Sequence, residues 1–265
     1  MRSTSNLCAG LVHAQQKGLD SLTPEVFAPQ TCLFAQLGQI GYVEAWDTQK
    51  AIARRREHGS TPDSLLLLEH PHTYTLGRRG KVSDVLVGDL TLRQMDVQVC
   101  QVDRGGEVTY HGPGQLVVYP IVDVRPIGGA VTYVRTLEQI LINTLKDFGL
   151  TGHREENLTG VWVAQEKIAA IGVKISRGIT THGLALNVSP NLSYFQHIVP
   201  CGLKGITVTS MERLLGYPVS LRKVALRLVH HFGLLFDRRM EEAGQAPSTG
   251  SEQILHAHLA GIAQA

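Results

Sequence analysis

The stretch from Val108 to Val124 is rich in β-branched and aromatic residues, yet Gly112-Pro113-Gly114 cuts it in two. Proline cannot donate to a ladder and glycine frees the backbone, so the segment reads as strand, turn and strand. A chain built around such a unit must contain a sheet, and the remaining patterns say which kind. Ser64 to Glu69 is a strand whose run Leu65-Leu66-Leu67-Leu68 marks it as buried. Val97 to Val102 alternates, and Cys100 within it reads as a small buried hydrophobe. Val161-Trp162-Val163, Gln165-Glu166 and Lys167 to Ile175 make a hairpin, and Arg177-Gly178 turns the chain into a third strand, Thr180 to Val188.

Helical spacing appears elsewhere. Residues 42–58 carry Val43, Trp46 and Ile52 among polar groups, with Gly59 as a stop. Arg54-Arg55-Arg56 is its solvated face. Thr132 to Phe148 places Val134, Leu137, Ile140, Leu141 and Leu145 on one face, followed by Gly149. Thr209-Ser210-Met211-Glu212 has capping-box spacing and starts a short helix stopped near Gly216, and Ser220 to Phe236 is a final amphipathic helix. Strands and helices are mixed rather than strictly alternating. This predicts an α+β single domain, with mixed or largely antiparallel sheets flanked by helices, not a doubly wound fold. Residues 1–30 read as a loose extension, 31–238 as the folded domain, and 239–265 as a tail with a short helix around Gln253–Ala263.

Several function classes drop out. Net charge is +2 with no long basic run, which argues against nucleic acid as partner. No apolar run approaches the roughly 20 residues of a membrane span. Four cysteines in 265 residues, without a Cys-x-x-Cys pair, suit neither a disulfide scaffold nor a structural zinc site. Gly-x-Gly-x-x-Gly and Walker-type loops are absent, so no nucleotide cofactor and no metal are expected. Arg is scarce before residue 30, where Asp20 and Glu25 stand, which weighs against a targeting segment; a cytoplasmic monomer is expected.

Three segments concentrate glycine and titratable residues between strands. The first runs Arg104-Gly105-Gly106-Glu107-Val108-Thr109-Tyr110-His111-Gly112-Pro113-Gly114-Gln115. Its polar groups are costly to bury without partners, and its glycines let a ligand or another backbone come close. A glycine-rich hairpin with a structural histidine is an equal reading of the same residues. The second is Lys167-Ile168-Ala169-Ala170-Ile171-Gly172, in which the lysine either snorkels to solvent or sits in a partly dry site as a base. It pairs with Thr181-His182-Gly183-Leu184-Ala185-Leu186-Asn187. The third is Pro200-Cys201-Gly202-Leu203-Lys204-Gly205, where proline and glycine pin a cysteine on a tight loop and Lys204 favours its thiolate. A structural loop cysteine is the alternative. Thiol chemistry needs a base, and His111, His182, His197 and Lys167 are all candidates.

Together these segments, with Thr207-Val208-Thr209-Ser210, resemble the lipoyl(octanoyl) transferases, the lipoate–protein ligase B family, from about residue 33 to 235. The resemblance implies the biotin/lipoate protein ligase-like fold. It implies transfer of an octanoyl group from acyl carrier protein to a lysine of lipoyl domains, on 2-oxoacid dehydrogenase E2 subunits and glycine-cleavage H protein. In this family the acyl acceptor falls on Cys201 and its partner lysine on Lys167. The acyl-binding stretches fall on Arg104–His111, on Ala170-Ile171-Gly172 and on Gly183-Leu184-Ala185. Small side chains at Ala170, Gly172, Gly183 and Ala185 would leave a slot for the chain. Carrier proteins are acidic, so Arg78, Arg79 and Lys81 are expected to help dock them, although a solvated basic loop explains those residues equally well. Rival readings are an ATP-dependent lipoate ligase on the same fold, a cysteine thioesterase or amidase, and a non-catalytic lipoyl-domain-binding module.

Overall fold

The computed structural model describes residues 30–199 and 207–243. The predicted extension before residue 30, Cys201 with its Pro200–Gly205 segment, and the predicted helix at Gln253–Ala263 lie outside the described residues.

In chain order the elements are β1 (Gln30–Gln39), α1 (Tyr42–Glu57), β2 (Asp63–Glu69), β3 (Thr73–Leu76), α2 (Asp89–Gln94), β4 (Gln98–Gln101), β5 (Val108–His111) and β6 (Gln115–Ile121). Then follow α3 (Gly129–Lys146), β7 (Gly152–His153), β8 (Val161–Val163), β9 (Glu166–Ser176), β10 (Ile179–Asn187), α4 (Met211–Leu215), α5 (Leu221–Phe236) and β11 (Arg238–Glu242). Among the described residues they form an eight-stranded sheet in the order β11-β1-β2-β6-β10-β9-β8-β7 and a three-stranded sheet β4-β3-β5. The β11–β1–β2 end is parallel and the rest of the large sheet antiparallel. The predicted mixed, largely antiparallel α+β architecture is what the chain adopts.

Alternation along each central strand builds a layer on either side of the large sheet. Cys32, Phe34, Leu65, Leu67, Leu116, Val118, Leu184 and Leu186 face α3 and α5. Leu33, Ala35, Leu66, Leu68, Val117, Tyr119 and Ala185 belong to the opposite core, with Ala45 and Ile52 of α1. The leucine run of β2 is therefore buried on both faces. Each leucine or isoleucine that α3 buries, at 137, 140, 141 and 145, contributes about 2 kcal/mol. In α1 the buried face is Tyr42, Ala45, Thr48, Gln49 and Ile52. Val43, expected inside, is exposed, because it lies one residue past that stripe.

The strand–turn–strand at Val108–Val124 is present, but its halves join different sheets. β5 pairs with β3, and β6 with β2 and β10. Gly114 makes the crossing, at φ +83°; a Cβ there would stand 2.5 Å from the Ser189 carbonyl oxygen. Its N–H donates to Glu69 Oε2 at 2.6 Å. Cys100 is only half-buried on the edge strand β4. The short helix α4 is capped one residue later than the predicted box, by Ser210 Oγ accepting from the Arg213 N–H.

The tail does not begin at Arg239. Asp237 takes a left-handed φ of +51°, reverses the chain after α5, and β11 then pairs parallel with Gln30–Phe34 of β1. A buried carboxylate holds this edge. Asp63 accepts from Arg56 Nε at 2.7 Å and from Arg238 Nε at 2.9 Å. Arg56 thus belongs to a buried cluster rather than to a solvated face. Removing the charge leaves two guanidinium groups competing for one amide oxygen. Asp63→Asn is expected to lower unfolding free energy by about 3 kcal/mol. Hydrogen exchange at the β11 amides should accelerate more than at β10 amides; equal acceleration would contradict a local anchor.

Candidate active site

β9 and β10 are joined by Arg177 and Gly178, both at positive φ (+50° and +85°), a two-residue turn that suits the sheet twist. The resulting register sets Gly183 against Gly172, Leu184 against Ile171 and Ala185 against Ala170. The two short stretches singled out in the sequence are thus direct partners. Residues 104–107 lie across them, with the Gly105 N–H donating to the Val173 carbonyl at 3.0 Å.

Between these parts is a cavity of about 360 Å³. Its apolar lining comes from Val134, Leu158, Ala170, Ile171, Val173, Leu184 and Ala185. Tyr42, Arg104, His111, Tyr119, Thr159, Lys167 and His182 supply polar groups, and Arg79, Gly105, Gly106, Glu107, Val108, Thr109, Gly172 and Gly183 also line it. Such a volume with a few convergent polar groups has the size of a small-ligand site. Tyr110 is not brought to the cavity. Strand alternation turns it to the other face of β5, where it is buried against Tyr74, Tyr194 and Phe195. Sequence reasoning missed Tyr42, Tyr119, Val134 and residues 157–159, which lie outside the glycine-rich segments. The Thr159-Gly160 pair just before β8 was the available signal.

Arg104 is 7 % exposed. Its guanidinium donates to the carbonyls of Thr75, Gly105 and Glu107 and to Thr75 Oγ1, all within 2.8–2.9 Å. Neutral oxygens from the small sheet and its loop hold the cation and fix the loop's shape. Gly172 gives this assembly room: a Cβ there would meet Arg104 Cδ at 3.0 Å and the Gly105 oxygen at 3.1 Å. Gly183 serves β6 in the same way, since a Cβ would fall 2.1 Å from the Val118 oxygen. Both glycines line the cavity and also admit neighbouring protein atoms.

Lys167 begins β9 and is 7 % exposed. Its Nζ donates to the Thr159 carbonyl at 3.1 Å and lies 4.9 Å from the Trp162 ring centre. Gly160 admits its stem: at φ +132°, a Cβ would sit 2.8 Å from Lys167 Cε. The lysine's own peptide is bonded on both sides, N–H to Thr207 O at 2.8 Å and C=O from Thr209 N–H at 3.0 Å. Thus the chain resuming at Thr207 runs directly beside Lys167.

A polar network closes another wall. His111 Nδ1 bonds Gln115 Oε1 at 2.8 Å, Gln115 Nε2 donates to Asn187 Oδ1 at 2.9 Å, and Asn187 Nδ2 donates to Thr209 O at 3.0 Å. This network links the first segment to Thr209. His182 sits at φ +58°, with Nε2 at 2.7 Å from Asp103 Oδ1 and Nδ1 at 3.4 Å from the Tyr42 hydroxyl. Burial lowers its pKa, only partly offset by Asp103. Burial alone would raise Asp103, but hydrogen bonds from Lys174 and His182 outweigh it and hold the carboxyl below its ordinary value. Burial drives His111 well below the usual imidazole range, and His70 nearby adds to this. His197 is only half-buried and does not line the cavity. Arg78, Arg79 and Lys81 are exposed, and Arg79 Nε donates to Glu107 Oε1 at 3.0 Å.

Residues 41–233 match the lipoyl protein ligase A/B catalytic domain. The chain belongs to this family. It is 51% identical over 212 residues to an octanoyltransferase of Solibacter usitatus, covering 80% of this chain and 96% of that protein. It is 52% identical over 204 residues to an octanoyltransferase of Chloroflexus aurantiacus, covering 76% and 92%. Among solved structures, the fold is shared with a bi-partite lipoate protein ligase of Thermoplasma acidophilum, at TM-score 0.61 and 17% identity, covering 88% of this chain and 92% of that one. P. falciparum LipL1 in complex with lipoate gives TM-score 0.65 at 11% identity, covering 87% and 71%.

The buried histidines of this family member tie its stability to pH. His70 donates from Nδ1 to the Ile40 carbonyl at 2.7 Å, while Nε2 meets the Tyr119 hydroxyl at 2.7 Å. Burial lowers its pKa from 6.5 to about 4. Between those values the unfolded chain binds more protons than the folded one, so stability is greatest above about pH 7 and falls as pH drops. His70 alone accounts for a loss on the order of 3 kcal/mol by pH 4. Urea midpoints measured from pH 7.5 to 4.5 should decline, and His70→Gln, which keeps a donor and an acceptor but cannot titrate, should flatten that decline.

Proposed function

We propose that this chain is an octanoyltransferase that takes an octanoyl group from acyl carrier protein and gives it to a lysine of a lipoyl domain, through a thioester on Cys201. The observation that carries the reading is Lys167, a buried lysine at the edge of a cavity that combines an apolar wall with a few convergent polar groups. Relatives about half identical to this chain bear the name octanoyltransferase, which supports the same reaction here.

The chemistry proceeds in two exchanges. The Lys167 ammonium favours the Cys201 thiolate, which attacks the donor's thioester carbonyl. A new C–S bond forms, the old one breaks, and the carrier's sulfur leaves as thiolate, taking a proton from Lys167. The acceptor's amine then attacks the Cys201 thioester; Sγ departs as thiolate and neutral Lys167 takes the amine's proton. The first exchange is nearly isoenergetic and the second forms an amide from a thioester, so no ATP is required. Ile171, Leu184, Val134 and Leu158 take the hydrocarbon out of water, at about 0.8 kcal/mol per CH₂. Arg78, Arg79 and Lys81, exposed on one loop, attract the acidic carrier protein. The reading includes a cytoplasmic setting, where both domains would be met, and a monomeric enzyme.

Intact-protein mass spectrometry after mixing the chain with octanoyl-acyl carrier protein tests this. Wild type should gain one hydroxylamine-labile octanoyl group, and Cys201→Ala none. Lys167→Ala should slow acylation by roughly 10²–10⁴-fold. A folded wild type that stays unmodified beside an active donor would remove the covalent route and favour an ATP-dependent ligase.

A further inference from the structure

Helix α3 carries a carboxylate, Glu138, whose side chain is 0% exposed. A buried charge needs partners, and two come from arginines: Arg135 on the same helix donates to Oε2 at 2.8 Å, and Arg154 Nε at 3.0 Å. Arg154 is itself fixed by the Arg135 carbonyl and Gln139 Oε1, both at 3.0 Å. The other oxygen, Oε1, accepts from the backbone N–H of Gly160 at 3.2 Å. That N–H belongs to the same peptide group as the Thr159 carbonyl, which receives Lys167 Nζ at 3.1 Å. One peptide plane therefore has a carboxylate on one side and the lysine's ammonium on the other.

We infer that Glu138 is a positioning residue for acyl transfer, holding the Thr159–Gly160 peptide so that its carbonyl faces Lys167 Nζ. The inference rests on the role given to Lys167 above. A carboxylate on the N–H side polarises the peptide and makes its oxygen a stronger acceptor for the ammonium. Gly160 allows the plane to stand there, because at φ +132° any side chain would strike the Ala169 oxygen at 2.5 Å and Lys167 Cε. The polar contacts of Glu138 are to Arg135, Arg154 and the Gly160 N–H, so its effect on acyl transfer passes through the peptide and Lys167. Charged groups facing Glu138 are Arg135 and Arg154, and the Trp162 ring faces Lys167.

The test measures iodoacetamide alkylation of Cys201 against pH, with Cys201→Ser as blank, alongside kcat, KM and thermal melting in the full chain. In Glu138→Gln the amide cannot satisfy both arginines and the Gly160 N–H, so the ammonium is less firmly held and the thiolate less favoured. The alkylation midpoint should move up by about 0.5 pH unit. Steady-state kcat should fall about tenfold, with KM for octanoyl-acyl carrier protein within about twofold. A through-space charge effect alone has the opposite sign, since removing a negative charge would move the midpoint down. Glu138→Asp guards against misfolding: it keeps the charge for the arginines but is one methylene too short to reach Gly160 as well, and should also raise the midpoint. A midpoint unchanged or lowered in the variants that fold, even with reduced melting temperature, overturns the inference and leaves Glu138 a tie between α3 and Arg154. The parent reading fails separately, if Lys167→Ala itself keeps both the wild-type midpoint and wild-type turnover.

Discussion

A cation buried among neutral oxygens shapes the loop through which the small sheet meets the large one. Arg104 cannot lose its proton and is almost wholly buried, so its N–H groups must be met where they lie. Thr75 on β3 and the carbonyls of Gly105 and Glu107 meet them. Because those acceptors come from both a strand and the loop above it, satisfying the guanidinium fixes the loop, and Gly105 then reaches β9. Burial is the main cause that lowers the pKa of His111 and of His182, and the positive charge of Arg104 adds to it in both. The shape of the cavity's roof thus follows from one desolvated group.

The antiparallel centre of the fold was legible because its signals are local. Arg177-Gly178 and the residues around Ala164 carry turn chemistry, and the strands between them show β-branched runs. β1 and β11 were missed for the complementary reason. Their parallel pairing joins residues about two hundred positions apart, Gln30 with Arg238, and no turn announces it. β3 has four residues and gains its identity only by lying between β4 and β5. Helix boundaries at α3 and α5 came close because a period of 3.6 over sixteen or more residues is hard to mistake.

For the site, glycine-rich polar segments marked much of the lining but not what each glycine does. Gly172 and Gly183 look in sequence like room for a ligand; in space they line the cavity and also make room for Arg104 and Val118. Tyr110 shares a tetrapeptide with His111 yet faces the opposite way, which the period of a strand already dictates. Glu138 stands four residues after Val134 and three before Leu141, beside the apolar stripe of α3, but its partners Arg154 and Gly160 come from another part of the chain and cannot be read from that spacing.

The pairing of β11 with β1 also bears on how the protein can be handled. β1 is ten residues long and buries apolar side chains toward both helical layers. A shortened chain that ends after α5 would strip Arg238 from Asp63 and leave that strand with a free row of backbone donors and acceptors. Such an edge is a template for another copy of itself. Trimming what looks like a dispensable tail would therefore show up as insolubility and self-association rather than as a slightly frayed monomer.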